Sequence, residues 1–469
     1  MVVLAEDRKT MLIGFSVSNY KSFFQEQHIS FVASKVARHK NHIVQHGMRK
    51  IVKAAVVYGA NAGGKSNLIS AIGFSRRIIL YGLDKVDSAQ KNFRLAEGSL
   101  EEPGVFRYQI YAGDYEYNYG IAVSYIKREI VSEWLYREES KEKEFCIFER
   151  MVGEDGISRV ETDVVKPSMP ERNRLKVYLD DFGQGISDSF KQQTILSDIA
   201  RRTSDQIGIF AEIQRLYKEL MNILIITPYM SYRNINEIAS DARRREAFEN
   251  LLHYFDTGVE SLSTEQREMD LDKLVDGMPG PDAEQLKIRI SGIVAEHPVM
   301  LQVNNQIVTL RKDENGNIIY NKLLLNHGSR QELFDLDDES DGTRRLFNLI
   351  PVLNGSSQNR LIIIDEIDRS LHTNLVRQFL ALFFELTEAN DTQMLATTHD
   401  SNIMDLELLR QDEIWFVERE NDHSSRLYSL SKFQARFDKV VNKEYLLGRY
   451  GAIPIFRGSL DKAGKANEK

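Results

Sequence analysis

Apolar residues in the first part of the chain are spaced in ways that predict two strands and a helix. Ile13, Phe15 and Val17 alternate with polar or small residues, which predicts a strand with one buried face. The continuous run 54–58 predicts a strand that is buried on both faces. Leu68 and Ile72 then begin a helical spacing, so the chain passes from a buried strand through a glycine-rich loop into a helix.

Alternating, aromatic and β-branched residues after this helix predict an antiparallel sheet. We predict its strands at 105–111, 116–125, 129–136 and 145–150. Tyrosines such as Tyr108 are candidates for stacking on bases. A half-buried sheet explains the same pattern, and we favour that interpretation.

Helical spacing dominates from about residue 180 to residue 253. Residues 255–285 are polar and contain Pro-Gly-Pro, which predicts a loop. Strands are predicted again at 288–290 and 301–310. Arginine clusters at 201–202 and 243–245 are candidates for contacts with a phosphate backbone, but a solvated helix face is the interpretation that we favour.

Two later apolar runs end in residues that carry chemistry. Leu361 to Ile364 is followed by Asp365 and Glu366, and a second run ends in His399. A helical stretch separates the runs, so we expect neighbouring parallel strands. The carboxyl ends of such strands meet at one edge of the sheet, which would place these side chains together.

Residues 59 to 66 have the pattern G-x-x-x-x-G-K-S, the P-loop, in the strand–loop–helix context that this motif requires. Lys65 is expected to reach the β- and γ-phosphates of ATP, and Ser66 to bind Mg²⁺ together with Asp365. Glu366 is predicted to be the general base, with Lys65 and His399 also catalytic. The predicted ATP-binding residues are Gly59, Ala60, Asn61, Ala62, Gly63, Gly64, Lys65, Ser66 and Asn67.

Ser340 and Gly342 precede the acidic strand and open a predicted helix at 344–352. A serine hydroxyl and backbone N–H groups at a helix start form an anion site. The same residues also suit an ordinary helix cap.

Composition narrows the class of protein and its expected location in the cell. The 469 residues are 42% hydrophobic and 28% charged, with a net charge of −8, which argues against a wholly basic nucleic-acid coat. Cys146 is the single cysteine, so an internal disulfide is excluded. With no apolar signal segment and no apolar run of about 20 residues, we expect a cytoplasmic protein without a membrane partner.

His39, His42 and His46 have spacing that suits a metal site, but a polar connector is the interpretation that we favour.

The P-loop, Ser-x-Gly, a strand ending in Asp-Glu and a strand ending in His together resemble the ABC-type ATPases. Asn19-Tyr20-Lys21-Ser22-Phe23 narrows the resemblance to the SMC and RecF side of that group. The chain most closely resembles the prokaryotic "AAA" ATPases of phage-defence operons, such as the Rlo and abortive-infection (AbiL-type) ATPases and relatives in Septu and PARIS systems. Residues 365–372 and 445–454 also look like that family. Only Ser340 and Gly342 carry over from the usual Leu-Ser-Gly-Gly-Gln signature.

The resemblance implies an α/β P-loop NTPase fold with an ABC-type head, an antiparallel β-subdomain and an inserted helical region. It implies a head-to-tail homodimer, or a higher homo-oligomer, in which Ser340 of one chain meets the γ-phosphate held by Lys65 of the other. We predict a first head lobe at 11–178, a helical insertion at 179–285, a second head lobe at 286–456 and a disordered tail at 457–469.

Three functions compete. The first is an ATPase that regulates a separate effector protein, a nuclease, in anti-phage defence, with docking on the segments between about residues 85 and 330. The segment after His399 is too short for a fused nuclease domain, and the middle region has no convincing metal-nuclease acid cluster. The second is a RecF-like DNA-repair clamp, with DNA as the partner, and the third is a transporter subunit, which the long P-loop-to-Ser340 separation disfavours. Co-purification with a nuclease, with DNA or with a membrane protein would separate them.

Overall fold

The P-loop lies at the carboxyl end of a central strand in a mostly parallel sheet. The computed structural model describes residues 10–140, 143–165, 171–183, 188–205, 207–228, 242–276, 280–292, 299–303, 306–313, 315–329, 332–353, 360–433 and 440–453. The described chain divides into two compact units. Unit 1 comprises Met1–Ile225, Gln358–Asp368 and Thr387–Lys469, and unit 2 comprises Ile226–Ser357 and Arg369–Leu386.

The strand before the P-loop is the predicted one, buried on both faces. Numbered along the chain, it is the fifth strand, β5 (Ala54–Tyr58), and all five of its residues are buried. Helix α1 (Lys65–Tyr81) follows the loop and packs Leu68, Ile72 and Ile79 into the core of unit 1. An uninterrupted apolar run is expected of a strand that has neighbours on both sides and cover on both faces.

The central sheet of unit 1 is mostly parallel. Strand β18 (Gln393–Thr398) pairs with β5, and β17 (Leu361–Ile364) pairs with the far side of β18. Strand β19 (Ile414–Arg419) pairs with β5 on its other side, and all these pairings are parallel. Among the described residues the strand order is β11 (Leu224–Ile226), β17, β18, β5, β19 and β20 (Ser425–Ser429). The carboxyl ends of β5, β17 and β18 therefore meet at one edge of the sheet.

An antiparallel sheet forms the second layer of unit 1. In the described part of the chain its order is β10-β9-β8-β7-β6-β1-β2. Tyr108 and Tyr119 are fully buried in it, which confirms the sheet interpretation of the tyrosine pattern. Its strands are β1 (Thr10–Ser18), β2 (Gln27–Ser30), β6 (Gly104–Ala112), β7 (Tyr115–Ser124), β8 (Glu129–Ser140), β9 (Lys143–Val152) and β10 (Ser158–Glu161).

Strand β1 is buried on both faces, whereas its alternation predicted one buried face. Its first eight residues are all buried. The Gln393 side chain of β18 accepts a hydrogen bond from the Leu12 N–H and donates one to the Leu12 carbonyl. The parallel sheet therefore lies against β1, and the polar residues of β1 are covered along with the apolar ones.

The predicted helical stretch forms four helices in unit 1 and one in unit 2. Ile195, Ile199 and Phe210 are fully buried in the same core as α1. The unit 1 helices are α2 (Arg172–Gly183), α3 (Asp188–Gln192), α4 (Ile195–Arg202) and α5 (Gly208–Asn222), and the unit 2 helix is α6 (Ala242–Tyr254), as counted over the described residues. A hairpin of β3 (Ile43–His46) and β4 (Arg49–Val52) and the helix α11 (Val441–Leu446) complete the regular elements described in unit 1.

Unit 2 contains a second antiparallel sheet, and its helices lie before, between and after the strands of this sheet in the chain. Its strands are β12 (Ser261–Glu268), β13 (Val299–Val303), β14 (Gln306–Lys312), β15 (Ile318–Asn326) and β16 (Phe334–Asp335). Short helices α7 (Leu271–Leu274) and α8 (Gly280–Ser291) lie between β12 and β13 in the chain, and α9 (Asp341–Leu353) and α10 (Thr373–Leu386) follow the sheet.

Two local predictions for unit 2 are wrong, and a third is right only in part. Residues 261–268, predicted as loop, form β12, because its backbone pairs with β15 while most of its polar side chains stay exposed. Residues 288–290, predicted as a strand, lie in α8, where Pro281 occupies the first turn. Proline suits that position because the N–H it lacks would have no partner within the helix. The interval 301–310, predicted as one strand, contains parts of two, β13 and β14.

The three histidines before the P-loop each contact a different polar partner. His39 Nε2 lies 2.8 Å from the Leu406 carbonyl oxygen, and the His39 ring stacks on that of His42. His42 Nδ1 lies 3.0 Å from Glu413 Oε2, and His46 Nε2 lies 3.6 Å from Asp391 Oδ2. Burial and nearby cations lower the pKa of His42 to about 3, so this imidazole is neutral at ordinary pH. His42 and His46 are buried, in contrast to the polar connector that the sequence favoured. In the described part of the chain no group of three or more His, Cys, Asp or Glu side chains is arranged to hold a metal ion.

Candidate nucleotide site

The P-loop backbone is packed too closely for side chains at its glycines. A Cβ on Gly59 would lie 2.3 Å from the Val417 carbonyl oxygen. Gly64 has φ of +119°, and a Cβ there would lie 2.3 Å from Ser425 Oγ. Glycine is needed at these positions because any side chain would push the loop from its place at the start of α1. The loop therefore keeps its N–H groups close to the helix N-terminus, an arrangement that suits phosphate.

Lys65 is buried and bends back over its own loop. Its Nζ donates hydrogen bonds to the carbonyl oxygens of Gly59 (2.6 Å) and Ala60 (3.2 Å). Burial lowers the pKa of the Lys65 ammonium, while the carboxylates of Asp368, Glu366 and Asp365 act in the opposite direction. A lysine among carboxylates and phosphate-facing amides is placed to balance the charge of a polyphosphate.

Ser66 and Asp365 are joined directly although they are far apart in sequence. The Ser66 hydroxyl donates to Asp365 Oδ1 at 3.2 Å. Ser66 is exposed, while Asp365 is buried at the end of β17. A serine hydroxyl beside a carboxylate is a donor set of oxygen atoms, which is the set that Mg²⁺ prefers. The residues present therefore fit a magnesium ion, held by Ser66 and Asp365.

Thr397 links the two acids, and sequence reasoning missed it. Its Oγ1 donates to Asp365 Oδ1 at 2.6 Å and accepts the Glu366 N–H at 2.9 Å. Glu366 has φ of +49°, which a residue with a side chain adopts at a cost of about 1 kcal/mol or more. The bond from its N–H to Thr397 stabilises that conformation. The Thr-Thr-His sequence at the end of an apolar run was the available signal.

His399 lies where the strand order predicts, near the acids that follow β17. Its Nε2 is 3.2 Å from Oδ2 of Asp368, a residue to which the sequence analysis gave no role. The imidazole is 56% exposed and Asp368 is buried, so the histidine faces outward from a fixed carboxylate. Asp365, Glu366 and His399 are thus brought to one edge of the parallel sheet, which is also the edge that bears the P-loop.

Hydrogen bonds among Ser22, Asn67 and Ser425 fix the backbone of the P-loop. Ser425 Oγ donates to the Gly63 carbonyl and is hydrogen-bonded to Ser22 Oγ, both at 2.7 Å. Asn67, predicted to bind ATP, donates from Nδ2 to the same Ser22 Oγ at 2.8 Å. Ser22 belongs to the Asn-Tyr-Lys-Ser-Phe sequence that carried part of the family resemblance, and the contact supplies a structural reason for a serine there.

The tip of the P-loop is exposed, so its predicted part in ATP binding stays a prediction. Asn61 and Ala62 are exposed, and Ala62 has φ of +62°. The sequence does not place the glutamine loop that ABC-type ATPases carry. Gln109, the candidate for it, lies within β6 and is paired with Gly14 and Asn118.

The signature-like residues lie in unit 2. Ser340 Oγ accepts the Thr343 N–H at 3.1 Å and thereby caps the N-terminus of α9. A Cβ on Gly342 would lie 3.0 Å from the Ser370 carbonyl oxygen, so this glycine permits a close approach of two chain segments. The helix cap is present, and a helix N-terminus with a serine hydroxyl also suits an anion.

These features define a P-loop ATPase with an α/β fold, which confirms the predicted fold class of a P-loop NTPase with an antiparallel β-subdomain and inserted helices. A family model described as "AAA domain, putative AbiEii toxin, Type IV TA system" matches residues 54–405. The chain belongs to this AAA ATPase family.

Two solved structures of SMC heads are similar to the chain. The "SMC head domain from Thermotoga maritima" is 13% identical, with 89% of this chain and 98% of that chain covered and a TM-score of 0.35. A second, titled "Crystal structure of the SmcHead bound to the C-winged helix domain of ScpA", is 15% identical, with 91% and 99% covered and a TM-score of 0.36. No curated protein matches the chain. Over the described residues, no helix has both the length and the apolar character needed to cross a bilayer.

Proposed function

We propose that the protein is a Mg²⁺-dependent ATPase that dimerises on ATP and controls a separate effector protein, a nuclease, in anti-phage defence. The observation that carries the ATPase part is the bond between Ser66 of the P-loop helix and Asp365 of β17, with Glu366 fixed through Thr397. This bond joins the phosphate loop to the acidic strand end at the place where a terminal phosphate would lie.

Each side chain then has a role in hydrolysis. The P-loop N–H groups and Lys65 bind the phosphates of ATP and offset their charge. When bound, Mg²⁺ would neutralise charge on the β- and γ-phosphates, with Ser66 and Asp365 as its protein ligands. Glu366 accepts a proton from the attacking water, and His399 forms a hydrogen bond with that water or with the γ-phosphate.

Dimerisation would complete the site. In the proposed dimer, Ser340 and the N-terminus of α9 of one chain face the γ-phosphate bound by Lys65 of the other. A helix N-terminus with an exposed amide edge attracts a phosphate. ATP then joins two chains and hydrolysis releases them, so the protein has two arrangements between which an effector can discriminate.

The ATPase part is tested by phosphate release with Mg²⁺ and with excess EDTA. Activity with Mg²⁺ that EDTA abolishes supports the proposal, and absence of activity with Mg²⁺ in wild-type protein refutes it. Gel filtration of Glu366→Gln with and without ATP tests dimerisation. An unchanged elution volume with ATP would refute it.

The effector part is tested by co-purification with the product of the neighbouring gene. Deleting the predicted docking segment would be uninformative, because Ile195, Ile199 and Phe210 belong to the core that also holds α1. Two exposed apolar residues on those segments, Val177 (64% exposed) and Ile207 (84% exposed), are better targets.

Substitution of Val177 or Ile207 by Asp should weaken effector binding and leave ATP hydrolysis intact. Met48→Asp, at a residue that is 80% exposed outside the segments, is the matched control.

Recovery of DNA instead of a protein partner would favour the RecF-like clamp. Cleavage of nucleic acid by the purified chain with ATP, abolished by Glu366→Gln, would make it a self-contained effector.

A further inference from the structure

Asp368 is an acid in the nucleotide site that the proposed hydrolysis does not use. It follows Asp365, Glu366 and Ile367 beyond the end of β17 and is 9% exposed. The Ile367 N–H donates to the Thr397 carbonyl at 2.9 Å and so attaches this segment to β18. Asp368 is therefore held on a fixed backbone rather than on a loose loop.

The two carboxylate oxygens of Asp368 have different surroundings. Oδ2 lies 3.2 Å from His399 Nε2. Oδ1 is buried and has no hydrogen-bond partner among the described residues. A buried carboxylate oxygen without a partner is destabilising, so an aspartate at this place needs a reason other than stability.

The contact with His399 supplies that reason. An imidazole on an exposed strand end can rotate and can carry its proton on either nitrogen. A carboxylate within hydrogen-bond distance of one nitrogen favours the tautomer with the proton there, and it also fixes the plane of the ring. Asp368 is the buried and immobile member of the pair, so it is the group that positions the other.

We propose that Asp368 is a positioning residue that sets the orientation and tautomer of His399 for ATP hydrolysis. The expected effect on kcat rests on the proposed function. The tautomer of His399, in contrast, can be measured without nucleotide. Asp368 contacts His399 and also acts electrostatically on Lys65, so the kinetic experiment must separate an effect through the histidine from one through the lysine.

The first experiment observes the histidine directly in the full-length protein without nucleotide. Side-chain ¹⁵N shifts of His399, assigned with His399→Gln, report its tautomer. They should move in Asp368→Ala and Asp368→Asn. They should stay unchanged in Glu407→Gln, which removes an acid that is 76% exposed and paired with Arg38. Unchanged His399 shifts in both Asp368 variants would overturn the inference.

The second experiment is a double-mutant cycle on ATP hydrolysis. Asp368→Ala should lower kcat by roughly 10- to 100-fold, the range found for carboxylates that orient histidines in metal sites, with KM changed little. In a His399→Ala background the same substitution should have almost no further effect. Full additivity of the two losses would overturn the inference.

Asp368→Asn guards against loss of folding, because it keeps the shape of the side chain. Its thermal unfolding should match that of Glu407→Gln, while its kcat remains low. A kcat equal to the wild-type value in Asp368→Asn, together with His399 shifts that moved, would also overturn the catalytic part. A wild-type protein that does not hydrolyse ATP would refute the proposed function, and the shift measurement would still decide the state of the imidazole.

Discussion

The hydroxyl of Ser66, on the first turn of the P-loop helix, donates a hydrogen bond to Oδ1 of Asp365 at the end of β17. This bond connects a residue near the start of the chain to one in its last quarter. It exists because β18 inserts between β5 and β17 in the parallel sheet, which brings the two strand ends to the same edge. Since both side chains offer oxygen atoms, the pair defines where a cation between protein and phosphate would bind.

Replacement of Glu366 by Gln should separate ATP binding from ATP cleavage. The amide has the shape of the carboxylate but cannot accept a proton from water, so kcat should fall by roughly 10²- to 10⁴-fold. Binding of ATP should persist. Phosphate release and nucleotide binding measured on the same preparation check this, with Glu407→Gln as the control for loss of one negative charge. Turnover at the wild-type rate in Glu366→Gln would show that another group is the base.

Thr397→Val should reduce both stability and turnover. Valine keeps the volume and the β-branch of threonine but removes the bond to Asp365 and the bond to the Glu366 N–H. Leaving buried groups without partners costs about 1–3 kcal/mol, and Glu366 would lose the contact that stabilises its φ of +49°.

Urea unfolding and kcat of Thr397→Val measure the two effects. Thr398→Val is the matched control, because that buried hydroxyl accepts the Asp400 N–H at 3.0 Å and bonds neither acid in the described part of the chain. Equal kcat losses in the two variants would mean that Thr397 has no specific role at the acids.

The sequence predicted the parts of the site that depend on contiguous residues. The P-loop, the buried strand before it and the apolar runs ending in Asp365 and His399 each form a local pattern, so strand, loop and helix follow from periodicity and glycine content. Their meeting at one edge followed from the rule for parallel strands. These are the parts for which local preference and tertiary structure agree.

The parts that sequence reasoning missed depend on contacts between distant residues. Ser22 and Ser425 meet beneath the P-loop only because β20 pairs with β19 and β19 lies beside β5. Neither serine belongs to a sequence pattern that predicts its contact with the other. Strand β12 was missed for another reason: its polar residues stay exposed, and its backbone bonds to β15 alone determine its conformation.

Stability should depend on pH through His327 in unit 2. Its Nε2 lies 2.6 Å from Glu339 Oε1, and its Nδ1 lies 2.9 Å from the Gly258 carbonyl. The hydrogen bond with Glu339 raises the pKa of His327 above 6.5. The stabilisation is therefore complete below about pH 6.5, the ordinary value, and is lost as the pH rises through the higher folded-state pKa.

Unfolding by urea at a series of pH values, for wild type and His327→Gln, measures this dependence. We expect a difference of about 1 kcal/mol or less below pH 6.5 that shrinks at higher pH, because the pair is partly exposed. His253→Gln is the matched control, since His253 is 47% exposed and its Nε2 bonds the Glu260 carbonyl at 3.0 Å while lying 3.9 Å from the Glu260 carboxylate. A His327→Gln difference that does not change with pH would contradict the assignment.

Ser340→Arg should stop turnover without preventing a single chain from binding ATP. In the proposed dimer the arginine would occupy the space of the γ-phosphate of the other chain, while the Lys65 loop of its own chain stays intact. Loss of the α9 cap costs about 0.5–2 kcal/mol, so Ser340→Ala serves as the control that removes the cap without adding bulk.

Mixing Ser340→Arg with Lys65→Ala chains tests whether the site is shared between subunits. Each mixed dimer would contain one site with an intact Lys65 and an intact Ser340, and one site that lacks both. With random pairing in equal amounts, half of the dimers are mixed, so about a quarter of the wild-type rate should return. Neither variant alone should be active, and the wild-type specific activity should rise with protein concentration. Wild-type turnover that is independent of concentration in a monomeric sample, with no recovery on mixing, would show that each chain works alone.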